Sequence, residues 1–363
     1  MGLPFISKQA KKRDHIVAID LGSRTSKAVH LQRRGDRFSL LSYAILDAPA
    51  QEKSFSSDVL GNHLRALNDE LKNTRSKKIT LTVGVTDSLL RQVEVPMMPA
   101  ADIRQMLKFN SKTYLQQDLP DHVFDCFILP QQAPPPKSAD GKSGEASRPS
   151  GPPKMRVVVG GAKRKMMDDL ANAAKIAGLA AEQIVPSLLG PTNAFEMAEP
   201  AAFAKEIIAI VDIGFKNTTI SILQSGEVIL NRVLAIGGDR ITAALAESMN
   251  ISYAEAEGIK VGMPTEVQQA MEGILNPLGR ELRASIDFFE HQQDKTVSQV
   301  FLSGGSARSE FIVQSLQNEL MVPCKSWNPA QFLDLALPPE KMGEFEQVAP
   351  QLVVAIGAAA AGF

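Results

Sequence analysis

Two stretches of this chain are copies of one design. Near the N-terminus the sequence runs HIVAIDLGSRTSKAVHLQRRG, and in the middle it runs IIAIVDIGFKNTTISILQSG. Each is an apolar run ending in Asp, a glycine-containing turn, an alternating strand, and a second turn with Gly. Asp20 matches Asp212, Gly22 matches Gly214, Arg24 matches Lys216 and Ser26 matches Thr218, with Gly35 and Gly226 following at nearly the same distance. A duplicated hairpin predicts duplicated halves that face each other. The length of 363 residues, large for one simple core, agrees with two lobes.

The hairpins carry chemistry. A buried strand that ends in Asp brings a carboxylate to the mouth of a cleft. The turn that follows can present backbone N–H groups, and glycine lets an anion approach them closely. Gly22 with the hydroxyls of Ser23 and Thr25, and Lys27 beyond them, would offer one such cradle. Gly214, Asn217 and Thr218 would offer the other. Two facing cradles suit a polyphosphate, and Asp20 and Asp212 would hold magnesium through water. Further on, Gly237 and Gly238 precede Asp239, a helix-capping residue, in GGDRIT. Glu257 and Lys260 stand one helical turn apart; an exposed salt bridge is the ordinary reading of such a pair. Gly304, Gly305 and Ser306 in LSGGSAR form a turn against which a flat base could lie.

Residues between the hairpins read as a separate α/β stretch. LTVGVTD and LLRQVEVP are expected strands, and PAADIRQMLKFNSKTYLQ has helical spacing. Residues 131–154 are rich in Pro, Gly, Ser and Lys, too polar to order themselves, and predict a disordered hairpin loop. A strand, a helix stopped at Gly178 and another strand follow. The last third predicts helices over GGDRITAALAESMN and YAEAEGIK, and a long amphipathic helix from Pro264 to Gln292, bent at Pro277. A strand leading into SEFIVQSLQNEL and an Ala-rich closing helix complete it.

Bulk properties exclude some classes. A net charge of -1, from 39 basic and 40 acidic residues, gives no sign of broad electrostatic binding to nucleic acid. Cys126 and Cys324 lie far apart among apolar residues and read as free thiols. No stretch is long and apolar enough to span a bilayer. The opening MGLPFISKQAKKR lacks the apolar core of a secretory signal and reads as a solvated basic tail.

The order of these motifs resembles the superfamily of actin, sugar kinases and heat-shock chaperone ATPases. DLGSRTSKAV is similar to its first phosphate loop, VDIGFKNTTI to its second and LSGGSAR to its adenosine motif. Within that superfamily, IGGDRITAALAESMNISYAEAEGIK, the mid-chain VEVPMMPAADIRQMLKF and the ending AIGAAAAGF resemble the PilM family of type IV pilus assembly proteins. The family's Ile-Pro element after the first inserted helix is replaced here by LQQDLPDH, and the 131–154 insertion is unlike it.

The resemblance implies an α/β, bilobed actin-like fold with two related lobes around a nucleotide cleft and a small α/β subdomain inserted in the first. The expected division is a tail over 1–14, a first-lobe core over 15–80 and 345–363, the insertion over 81–185 and a second lobe over 186–344. Implied ligands are ATP and Mg, held by Asp20, Gly22, Ser23, Arg24, Thr25, Lys27, Asp212, Gly214, Asn217, Thr218, Gly237, Gly238, Asp239, Glu257, Lys260, Gly304, Gly305 and Ser306. The implied partner is the N-terminal cytoplasmic peptide of a PilN-like inner-membrane protein, docked between the first lobe and the insertion. That would place the chain at the inner face of the inner membrane. An FtsA-like filament protein of cell division, or a superfamily kinase or ATPase, are the other readings. In the connecting segment EQIVPSLLGPTNAFEMA, Glu182, Asn193 and Glu196 sit in no catalytic pattern, so at most slow hydrolysis is expected.

Overall fold

The computed structural model describes residues 13–49, 56–72, 74, 76–130, 153–262 and 267–363. The expected tail lies mostly outside these residues, as does nearly all of the expected loop.

The duplication read from sequence appears as two sheets of one topology. In the first, β1 (His15–Leu21), β2 (Thr25–Arg34) and β3 (Arg37–Asp47) form an antiparallel meander, and β4 (Lys78–Val83) then β8 (Ala180–Pro186) continue parallel to β1. In the second, β9 (Ile207–Ile213), β10 (Thr218–Gln224) and β11 (Glu227–Leu234) repeat the meander, and β12 (Gln299–Ser303) then β13 (Cys324–Ser326) continue parallel to β9. A short β14 (Leu333–Leu335) extends the first sheet beside β3. The smaller third sheet has β5 (Ser88–Pro96) and β6 (His122–Ile128) on either side of β7 (Lys154–Lys163), with α2 (Ala100–Leu115) packed on it.

Alternation along β1 and β9 sets the layers, because successive strand side chains point to opposite faces. Ile16 and Ala18 join Ile208 and Ile210 in one core shared by both lobes, around α4 (Gly190–Ala198) and α11 (Val353–Ala360). Val17 and Ile19 face the other way, onto α1 (Ser57–Glu70) and α3 (Arg164–Ile176). Ala209 and Val211 likewise face α6 (Gly238–Met249), α8 (Gln268–Gln293) and α9 (Glu310–Leu320). Strands covered on both faces explain why IVAI and IIAIV are continuous apolar runs. The remaining helices are α5 (Pro200–Lys205), α7 (Tyr253–Gly262) and α10 (Pro339–Val348).

Sheet membership differs from the expected boundaries in three places. β8 pairs with β4, and α3 packs with α1, so residues 164–186 lie with the first sheet and not with the inserted one. β14 joins the first sheet from a segment expected in the second lobe. The segment after β8 is the crossover between lobes, and it is buried between them. Long-range parallel pairing of this kind leaves no local sequence signal.

One buried basic group makes stability depend on pH. Gln32 Nε2 donates to His15 Nε2 at 2.8 Å, so His15 Nδ1 is the donor to His30 Nε2 at 3.1 Å, and His30 accepts as a neutral ring. Burial, with the charge of His15 added, pushes His30 down to about 4. The unfolded chain binds this proton near the ordinary value of 6.5, so stability is complete above that pH and is lost as pH falls toward about 4. The loss reaches about 3 kcal/mol for this group. Urea titrations across this range should show His30→Gln flattening the pH dependence relative to the parent.

Candidate functional site

A cleft of about 1090 Å³ opens between the lobes. Fifteen of the eighteen expected site residues line it. From the first hairpin come Asp20, Gly22, Ser23, Arg24, Thr25 and Lys27. The second hairpin contributes Asp212, Gly214 and Asn217, the α6–α7 region Gly238, Glu257 and Lys260, and the turn after β12 Gly304, Gly305 and Ser306.

Three expected residues stand outside it. The Thr218 hydroxyl turns inward and donates to the Ile236 carbonyl at 2.7 Å; its neighbour Thr219 lines the cleft instead. Gly237 is pressed beneath the second turn, where a Cβ would overlap the Phe215 carbonyl and come within 2.7 Å of the Gly214 carbonyl. Asp239 is engaged by Lys216 Nζ at 2.6 Å and by the Tyr253 hydroxyl at 2.7 Å. The start of α6 is therefore not a free set of donors: the Gly238 and Asp239 amides donate to the Gly214 and Phe215 carbonyls, each at 2.9 Å. GGD stitches a helix to the second turn, a role the motif alone did not distinguish from ligand contact.

The carboxylates sit on the floor. Asp20 pairs in register with Lys27, whose Nζ lies 3.5 Å from Asp20 Oδ2. Thr82 Oγ1 donates to Asp20 Oδ1 at 2.9 Å. Asp212 accepts from Ser303 Oγ at 3.1 Å, and the ion pairs among the described residues include none to it. Burial pushes the Asp212 carboxyl up to about 6, against the pull of Ser303 and Lys27, with Asp20 adding to the rise. A desolvated anion beside another, served by one lysine, is a place that gains from added positive charge.

Glu257 and Lys260 are not the exposed pair that their spacing suggests. Lys260 is 9% exposed, and its Nζ reaches Glu257 Oε2 and Thr242 Oγ1, both at 2.7 Å. Burial would raise the Glu257 carboxyl, but hydrogen bonds from Lys260 and Thr242, with the charges of Lys260 and Arg24, hold it below the ordinary range. Arg24 crosses the cleft mouth, 5.2 Å over the Phe215 ring and 4.0 Å from Glu257.

Sequence reading missed Thr82, Asp87, Ser187 and Arg308, which also line the cleft. Thr82 lies near the end of β4 and Asp87 in the turn after it, in TVGVTD, visible only once β4 is known to lie beside β1. In the connecting segment, Glu182 pairs with Arg13 and Lys78. Asn193 and Glu196 face a second cavity of about 1050 Å³ behind the crossover.

The residues fit a magnesium–polyphosphate. Among the described residues no group of three or more His, Cys, Asp or Glu is arranged to hold an ion. Two carboxylates and a lysine suit a metal that keeps waters and takes phosphate oxygens as its remaining ligands. Gly304, at φ +91°, has no space for a side chain: a Cβ would overlap the Ile213 carbonyl and stand 2.9 Å from Asp212 Oδ1.

Two lobes of one topology, each bringing an Asp and a glycine turn to a shared cleft, define the actin-like ATPase fold. Two solved structures share it over nearly the whole chain: ethanolamine utilization protein EutJ from Carboxydothermus hydrogenoformans (TM-score 0.57, 14% identity, covering 96% of this chain and 90% of that one) and MreB 5 of Spiroplasma citri bound to AMPPNP (TM-score 0.52, 10% identity, covering 96% and 95%). The PilM-PilN type IV pilus biogenesis complex is more similar, with TM-score 0.79 and 22% identity over 96% of this chain and 98% of that one. The family model of type IV pilus assembly protein PilM matches residues 146–363, and the chain belongs to that family.

Proposed function

We propose that this chain is a magnesium–ATP-binding adaptor of a type IV pilus assembly platform, docking the N-terminal cytoplasmic peptide of a PilN-like inner-membrane protein. The observation that carries the nucleotide half is the pair Asp20 and Asp212, brought to one cleft floor with Lys27 beside them. Glu257 and Lys260 would hold the nucleoside, and Gly304–Ser306 would lie against the base. Magnesium would neutralise phosphate charge and the two carboxylates. The connecting-segment carboxylates stand away from the cleft, which favours slow hydrolysis at most.

The family match and the likeness to the PilM-PilN complex support the partner half. So does the second cavity. The peptide groove was expected between the first lobe and the insertion; this cavity reaches the second lobe too. Leu129 and Val158 of the inserted unit, Leu188 and Thr192 of the crossover, and Phe203 and Phe288 of the second lobe all line it. Among the described residues β5 and β11 each have one paired neighbour in their sheet, and their other edges border it. An apolar groove between two strand edges suits an extended peptide. Among the described residues no helix is long and apolar enough to cross a membrane, so membrane attachment in this proposal runs through the partner.

A thermal shift tests both halves. Ligand at 100 times its Kd stabilises by about 2.7 kcal/mol. Magnesium–ATP should raise the melting temperature, and the peptide should raise it further. A shift with ATP alone would remove the partner; no shift with either would remove the whole proposal.

A further inference from the structure

Asp20 and Asp212 are steadied by the same chemistry from the same place in each lobe. β4 runs parallel to β1 and pairs Leu81 with Ile19, which sets Thr82 beside Asp20. β12 runs parallel to β9 and pairs Ser303 with Asp212 directly. In each case a hydroxyl from the neighbouring strand donates to the Oδ1 atom, Thr82 at 2.9 Å and Ser303 at 3.1 Å. Both residues are buried, Thr82 at 2% and Ser303 at 0% exposure. The repeat legible in the hairpins therefore continues onto a third strand, where TLTVG and FLSGG share a Leu, a hydroxyl residue and a Gly at the same positions.

We infer that Thr82 and Ser303 are positioning residues for magnesium, each fixing the carboxylate that faces the ion; this rests on the magnesium–ATP reading above. The last torsion of an aspartate side chain is broad and soft. A carboxylate that must accept from metal-bound water needs one set orientation, because magnesium tolerates little departure from octahedral geometry. A donor on Oδ1 stops that rotation and leaves Oδ2 for the cleft. In the first lobe Oδ2 faces Lys27 Nζ at 3.5 Å. Without the Thr82 hydroxyl, both Asp20 oxygens could swing to the lysine and away from the metal water. Asp212 has no ion pair among those described, so its orientation depends more heavily on Ser303. Removing Ser303 should then have the larger effect.

A merely structural role would be different. Hydroxyls that only satisfy buried carboxylates would change stability and leave metal dependence alone. The test therefore splits the two. ATP affinity is measured by calorimetry on the full chain, with saturating magnesium and again in EDTA, for the parent, Thr82→Val, Ser303→Ala and Thr82→Ser. The parent should bind more tightly with magnesium. Thr82→Val should lose about tenfold of that gain, the scale of losing an outer-shell partner, Ser303→Ala should lose more, and both should keep the parent affinity in EDTA. Thr82→Ser, which retains the hydroxyl, should keep most of the gain and shows that the site tolerates change. Equal magnesium gain in parent, Thr82→Val and Ser303→Ala would overturn the assignment. A parent with no magnesium gain would overturn the metal reading itself, and the positioning roles with it.

Discussion

Gly357→Val should cost about 4 kcal/mol or more of stability, among the largest losses for any single substitution in this chain. Gly357 lies in α11, whose residues Val353–Ala359 are buried between the two lobes. A Cβ there would overlap the Gly190 carbonyl and come within 2.7 Å of the Gly190 carbonyl carbon. The approach is reciprocal, since a Cβ on Gly190 would stand 2.6 Å from Val354 Cα. These are backbone atoms, so no rotamer change relieves the clash. Gly190 opens α4, which carries the chain from the first sheet to the second, so a shift there moves the join between lobes. Gly343→Ala is the control. It sits in α10 with no neighbour among the described residues within 4 Å of the added carbon, and should stabilise by up to about 1 kcal/mol through helix propensity. Urea midpoints for the two variants should move in opposite directions; a Gly357→Val midpoint equal to the parent's would refute the close packing of α4 on α11.

The contrast between those glycines shows what sequence could and could not reveal. AIGAAAAG says that a helix packs tightly, because small residues leave little else to do. It does not say against what, and the partner Gly190 lies far away in the chain. The same holds at the cleft. Asp20 and Asp212 were legible because each ends a buried strand before a glycine turn, and the pattern occurs twice. Thr82 and Ser303 were not, because their role depends on parallel pairing, which places residues side by side with no local mark. Glu257 and Lys260 were found by spacing, yet spacing suggests an exposed pair; only the packing of α7 on α6 shows that Thr242 completes a buried cluster. Asp239 stands outside the cleft lining for the opposite reason. GGD fits both a ligand turn and a helix start, and Lys216 and Tyr253 were free to claim its carboxylate.

Asp212→Asn should make the ligand-free protein more stable and magnesium–ATP binding weaker, and the opposed signs are what distinguish a functional carboxylate from a structural one. Burial holds the Asp212 carboxyl up near about 6, against an ordinary value of 3.8. The unfolded chain releases its proton near the ordinary value and the folded chain keeps it until about 6, so the folded state is penalised progressively as pH rises between them. Above that window the charge costs the fold about 2 kcal/mol, allowing for the part of the side chain that the cleft leaves open to water. Asparagine carries no charge yet still offers Oδ1 to the Ser303 hydroxyl, so the contact at 3.1 Å survives. Urea unfolding without nucleotide or metal should therefore favour Asp212→Asn by about 2 kcal/mol at pH 7.5, with the advantage vanishing as pH falls below the ordinary carboxyl value. Magnesium–ATP should reverse the order. The parent regains what the buried charge costs once the metal's charge arrives, while asparagine has nothing to regain, and affinity should fall about tenfold or more. A variant that is less stable than the parent at neutral pH and binds magnesium–ATP equally well would sink the reading, since Asp212 would then be holding the fold and not the ion. Natural sites retain such costly charges where function requires them, and at Asp212 the cost falls on the floor of the cleft, opposite Lys27 and Asp20.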